Sequence, residues 1–229
     1  MGEQSSKLLS TSVATSTEAA GVGKRPNLKL AVTRTVEALQ RNYLNNTKNT
    51  EGANARRTLA ELRKTGSLNF EKHPLALERV LLSLVFPLSD QESGNTDKAT
   101  PSEQAVFHAL TLFALHMQSA QQEVHDPERS FASACGRLYA VSDSNSIKPR
   151  FDAMQMPFDE TTRVIHLRSL ISLLRAKRIS FDYGQFAQDL RSLQNPRRRN
   201  GVLLRWGRDF ARRTFRDRVN TEKTQENNA

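Results

Sequence analysis

The chain has 229 residues, 37% of them apolar, and a formal net charge of +10 at pH 7, which allows one sizeable domain or two small ones. A single cysteine, Cys135, excludes an internal disulfide framework and a cysteine-rich zinc site. No apolar run is long enough to span a membrane and the amino terminus has no signal-peptide core, so the expected setting is the reducing cytoplasm.

Residues 1–26 are rich in Ser, Thr, Ala and Gly without hydrophobic periodicity, and are expected to form a disordered tail. Their Gly21-Val22-Gly23-Lys24 lacks the spacing, the following Ser or Thr and the preceding strand of a phosphate loop. Apolar residues at 28, 32, 36, 39 and 43 predict a helix over Leu28–Leu44. A polar loop, 45–54, leads to a short helix at Ala55–Lys64. It holds Leu59 and Leu62 inward and Arg56, Arg57, Arg63 and Lys64 outward, with Gly66 as its stop. Pro74–Leu88 is apolar on several sides, the pattern of a core helix. Beyond a polar loop at 89–100, Thr100, Pro101 and Glu103 supply the N-cap, first-turn proline and capping-box partner of a helix to Gln118. Phe131–Val141 is a shorter helix that carries Arg137.

After a loop at 142–146, Lys148–Met156 places Phe151 and Met154 inward, with Arg150 near its start. Asp159 or Thr161 can cap Thr162–Lys177, where Val164, Leu167, Ile171 and Leu174 form a packing seam beside Arg168 and Arg175. Asp182 can cap Tyr183–Leu193. Pro196 and Gly201 read as a turn that holds Arg197, Arg198 and Arg199, ahead of a final helix, Asn200–Arg218. No segment has the alternation or β-branched content of a strand. The predicted fold is all-α: two helical lobes, 27–141 and 142–219, between disordered tails at 1–26 and 220–229.

Charge is concentrated in one stretch. Residues 191–218 hold ten arginines against two aspartates, Asp209 and Asp217, so most of the excess positive charge lies there. Arg205, Arg208, Arg212 and Arg216, spaced 3, 4 and 4 apart, form a stripe along one helix face. Leu203, Trp206 and Phe210 recur with the same period on another face. A solvated helix face is the plain reading of a charge run. Arginines this clustered favour a polyanion instead, nucleic acid above all.

Nothing in the sequence gathers catalytic groups. His73, His108, His116, His125 and His166 have no close metal-ligand spacing, the carboxylates are scattered, and Cys135 lies among apolar neighbours. The expectation is a non-enzyme without metal or cofactor.

Seven segments, in order, carry a resemblance: TLAELRK (58–64), LLSLVFPLS (81–89), ACGRLYA (134–140), KPRFDAMQ (148–155), HLRSLISLLR (166–175), ISFDYGQFAQDL (179–190) and LLRWGRDFAR (203–212). Together they resemble the CasB family, the small subunits of the type I-E CRISPR surveillance complex Cascade. Tyr183 stands where many relatives have Trp, and Ala211 where an aromatic residue often follows R-D-F; both departures touch packing more than charge. The resemblance implies a homodimer lying beside backbone and large subunits, with sequence-independent contacts to crRNA and target DNA that stabilise the heteroduplex and the displaced strand. It implies no cleavage and no membrane. Arg63, Lys64, Arg137, Arg150 and Arg168 match the family's recurrent basic sites, and Arg205 and Arg208 lie in its R-W-x-R-D-F segment. The charge pattern adds Arg199 and Arg212 to the candidate nucleic-acid-binding residues. The alternative function is a structural bracket whose basic helix docks onto acidic protein subunits without touching nucleic acid.

Overall fold

The computed structural model describes residues 27–45, 49–69, 71–142, 144–156 and 160–226, with side chains described as far as Val219. The expected tail at 1–26, with its Gly21–Lys24, and the candidate cap Asp159 lie outside the described residues. The described helices are α1 (Leu28–Asn45), α2 (Thr50–Thr65), α3 (Pro74–Leu82), α4 (Pro101–His116), α5 (Phe131–Ala140), α6 (Ile147–Gln155), α7 (Glu160–Ala176), α8 (Tyr183–Leu193) and α9 (Pro196–Glu226). The fold is all-α; the one β feature among these residues is an isolated bridge between His125 and Phe181.

Caps set several boundaries as expected. At the start of α4, Thr100 Oγ1 accepts from the Glu103 amide while the Glu103 carboxylate accepts from the Thr100 amide. Asp182 Oδ1 accepts from the Gln185 amide at the start of α8.

Elsewhere the boundaries move. Asn49 Oδ1 accepts from the Gly52 amide, so α2 starts at Thr50, inside the expected loop. Helix α3 stops at Leu82, short of Leu88, because helical geometry is disfavoured ahead of Pro87. The chain instead crosses to α1, where the Val85 amide donates to Thr35 Oγ1. Ala76, Val80 and Leu88 are buried there, but Leu75, Leu82, Val85 and Phe86 are exposed, so this segment is only half a core element. The expected turn at Pro196–Gly201 is the first part of α9: proline is preorganised at the first helical position, and no atom crowds Gly201. The same helix continues past Val219 to Glu226, since hydrogen bonds propagate cheaply once a helix is nucleated.

One apolar core runs through helices from both sides of residue 142. Helix α8 packs on α1 and α4, and α5 lies along α9. Gly136 makes the second pairing close: a Cβ there would lie 2.4 Å from the Phe210 carbonyl oxygen. Thr214 Oγ1, 3.2 Å from the Gly136 carbonyl oxygen, joins the same two helices. A chain of rings, Phe113–Tyr183–Phe181–Phe131–Trp206, continues this core from α4 to α9 with neighbouring centroids 4.2–5.6 Å apart. Burying each such side chain is worth about 1.5–3 kcal/mol.

Candidate nucleic-acid interface

Helix α9 is anchored along one edge. Val202, Trp206, Phe210 and Thr214 are buried, at the 4-residue spacing that keeps a single face against the core. The opposite face carries Arg208 and Arg212, with Arg216 at its border, and all three are exposed. No carboxylate lies within ion-pair distance of these three among the described residues. Their guanidinium groups recur about every 6 Å along the axis, four residues at 1.5 Å each.

Arg205 stands apart from that stripe. Its guanidinium pairs with Asp189 of α8, whose other oxygen accepts from Trp206 Nε1 at 2.7 Å. Gln185 Nε2 donates to the same carboxylate. Burial raises the Asp189 pKa, while Gln185, Arg205 and Trp206 pull it down. Arg205 therefore neutralises a buried carboxylate on one side of α9, a partner sixteen residues away that helical spacing does not reveal.

The other expected cations fall into groups. Arg63 donates to the Ala114 carbonyl, Arg168 donates to the Gly66 carbonyl at 3.0 Å, and Lys64 is exposed beside them at the end of α2. These contacts place Arg63, Lys64 and Arg168 together, on a helix end whose dipole favours cations. Arg168 also borders a cleft of about 410 Å³ between α4, α7 and the segment that follows α2. Arg199 reaches the Gln155 carbonyl at the end of α6. Arg150 is held by Ser146 at the other end of α6, so these two do not meet.

Arg212 lines a cleft beside the α5–α9 pairing, and Arg137 of α5 lies near enough to Arg129 in that cleft to act on its charge. The cleft, of about 310 Å³, is lined by Arg129, Arg212, Arg213 and Arg216 and by Asp126, Glu128 and Asp209. Burial lowers the Arg129 pKa, with Arg137 and Arg213 adding to the effect and Asp126 opposing it. Periodicity marks neither Arg129 nor Arg213: Arg129 precedes α5 outside any periodic segment, and Arg213 falls outside the 3-4-4 stripe. Both also have acidic neighbours, Asp126 at 3.4 Å and Asp217 at 2.8 Å. Arg212 and Arg216 are thus the cations this cleft leaves available for an outside anion.

Three of the five histidines, His108, His116 and His125, belong to the core, while His73 is exposed and His166 half-buried. His108 and His116 are buried in α4, and the Tyr183 amide donates to His125 Nδ1. Burial, with Arg163 and Arg175 nearby, lowers the pKa of His108 to about 4 and of His116 to about 3. Cys135 is fully buried, and burial pushes its thiol pKa well up, away from the reactive thiolate. Among the described residues no three His, Cys, Asp or Glu side chains gather to hold a metal, and no helix is long and apolar enough to cross a membrane.

The sequence profile of the family described as CRISPR-associated protein Cse2 matches residues 58–210. In structure the chain is similar to CasB from Thermobifida fusca, with a TM-score of 0.63 and 24% sequence identity over 81% of this chain and 98% of that one. That likeness concerns the fold. No curated protein sequence matches the chain.

Proposed function

The chain belongs to the CRISPR-associated Cse2 family of Cascade small subunits, and from that membership we propose that it holds nucleic-acid backbone inside the complex. In this reading it steadies the crRNA–target heteroduplex and the displaced strand, cuts neither, and sits as a homodimer beside the other subunits. The observation that carries the reading is the outward stripe of α9: Arg208, Arg212 and Arg216 are exposed, regularly spaced and unmatched by carboxylates among the described residues.

The energetics suit such a role. Exchanging DNA pairs for heteroduplex pairs is nearly neutral, so a few backbone contacts decide whether the open state persists. Guanidinium groups grip phosphate through paired N–H donors, and contacts to phosphate alone read no sequence. The groups around Arg63, Lys64 and Arg168, around Arg150, around Arg199, and around Arg137 and Arg212 supply further contacts in the same reading, with Arg205 joining through the part of its side chain that remains exposed.

Salt titration of single-strand binding tests it. The variant R208Q/R212Q/R216Q should keep the fold and lower the slope of log affinity against log salt by about two, at roughly 0.7 per phosphate contact. An unchanged affinity and slope would remove α9 from the interface. They would favour the bracket reading, in which the helix docks on acidic protein.

A further inference from the structure

The outward face of α9 is not purely cationic. Phe215 is 68% exposed and Leu204 56% exposed, and Val219 is exposed as well. With 3.6 residues per turn, Leu204, Arg208, Ala211, Arg212, Phe215 and Val219 fall within about 100° of the helix circumference. That arc lies opposite Val202, Trp206, Phe210 and Thr214, so it cannot close onto this chain's own core. Apolar and guanidinium side chains therefore share one arc of the helix.

We propose that Phe215 is a stacking platform for an unpaired base, set between arginines that hold the flanking phosphates, so that α9 recognises single-stranded rather than duplex nucleic acid. This inference rests on the backbone-binding reading given above.

Three observations lead to it. A helical side chain leans toward the amino-terminal turn, which for Phe215 is the turn of Ala211, and a methyl group there leaves the ring face uncovered. The two other aromatic side chains of α9, Trp206 and Phe210, are buried on its anchored face, so Phe215 is the ring this helix turns to solvent. Arg212 and Arg216 lie within one turn of Phe215, and that charge matches a strand presenting phosphates and bases together. A duplex offers the phosphates but keeps its base faces stacked inside, where they give an aromatic ring nothing to cover. Stacking on an aromatic ring is also indifferent to which base is present.

The test uses the full chain and three ligands with the same number of phosphates: an ordinary single strand, an abasic single strand of the same length, and a duplex of half that length in base pairs. The ordinary strand should bind more tightly than the abasic one. Phe215→Ala and Phe215→Leu should weaken the ordinary strand by about 5- to 150-fold, the range expected for losing one base stack. Both should leave the abasic strand, the duplex and the salt slope unchanged, and Phe215→Trp should restore ordinary-strand affinity.

Equal affinity for ordinary and abasic strands, or an unaffected Phe215→Ala variant, would overturn the stacking platform while leaving the arginine contacts intact. Failure of the wild-type chain to bind any of the three ligands would overturn the arginine reading itself. A Phe215→Ala variant that binds every strand normally but no longer assembles with the other subunits would assign this face to a protein partner instead.

Discussion

Arg205 shows how one side chain can belong to a charged stripe and to the core at once. Its guanidinium faces Asp189, and the same carboxylate holds the indole N–H of Trp206. Removing the carboxylate strands a buried donor, which costs about 1–3 kcal/mol. Asp189→Ala should therefore lower the unfolding free energy by that amount, read as a lower urea midpoint with an unchanged m-value. Arg205→Ala leaves Trp206 and Gln185 still bonded to the Asp189 carboxylate, so it should cost less than Asp189→Ala. Equal costs for the two would mean that Asp189 serves Arg205 alone and that Trp206 is satisfied otherwise. Charge reversal at Arg205 would set two carboxyl groups against each other, which is why Arg208, Arg212 and Arg216 are the cleaner probes of binding.

At the scale of the element, α9 depends on Gly136. No side chain fits where α5 crosses Phe210, and the obstacle is backbone that cannot rotate aside. Gly136→Ala should destabilise the chain by about 1–3 kcal/mol, as overpacking does, and a lower thermal midpoint with unchanged strand affinity per folded molecule would check it. The elements themselves were largely legible: Thr100 with Glu103, and Asp182 with Gln185, are local signals that need no tertiary partner. Pro196 and Gly201 misled because the same residues that break a helix also sit comfortably in its first turn or facing water. Periodicity gives the buried face of α5 and of α9, but nothing in it says that the two faces meet. For the same reason the sequence yields the arginine stripe and misses both Asp189 and the exposure of Phe215.

For the whole molecule, the buried histidines tie stability to pH. In the unfolded chain His108 and His116 take up protons near pH 6.5; in the folded chain burial resists this until about pH 4 and about pH 3. Stability is thus fully present above pH 6.5 and is lost as pH falls. The loss approaches about 2.7 kcal/mol per pH unit once both unfolded-state histidines are charged. Urea midpoints near pH 7 and near pH 5 should show this decline, and His116→Gln should flatten it by about half. A midpoint insensitive to acid over that interval would mean that the two rings are reached by protons without unfolding. The positions of these histidines were readable as helical packing, whereas their ring environments depend on α7 and α8, which close over α4 from far along the chain.

The close pairing of α5 with α9 also constrains how the protein is made. A ribosome adding roughly 5–20 residues per second finishes α5 several seconds before α9 emerges, and until then Phe131, Ala134 and Leu138 lack the cover they have in the finished fold. The helix that arrives late is the one that bears the arginine stripe. Translation products that stop short of it are expected to stay unfolded and be cleared by chaperones and proteases, so they do not compete as inert copies for a place in the complex.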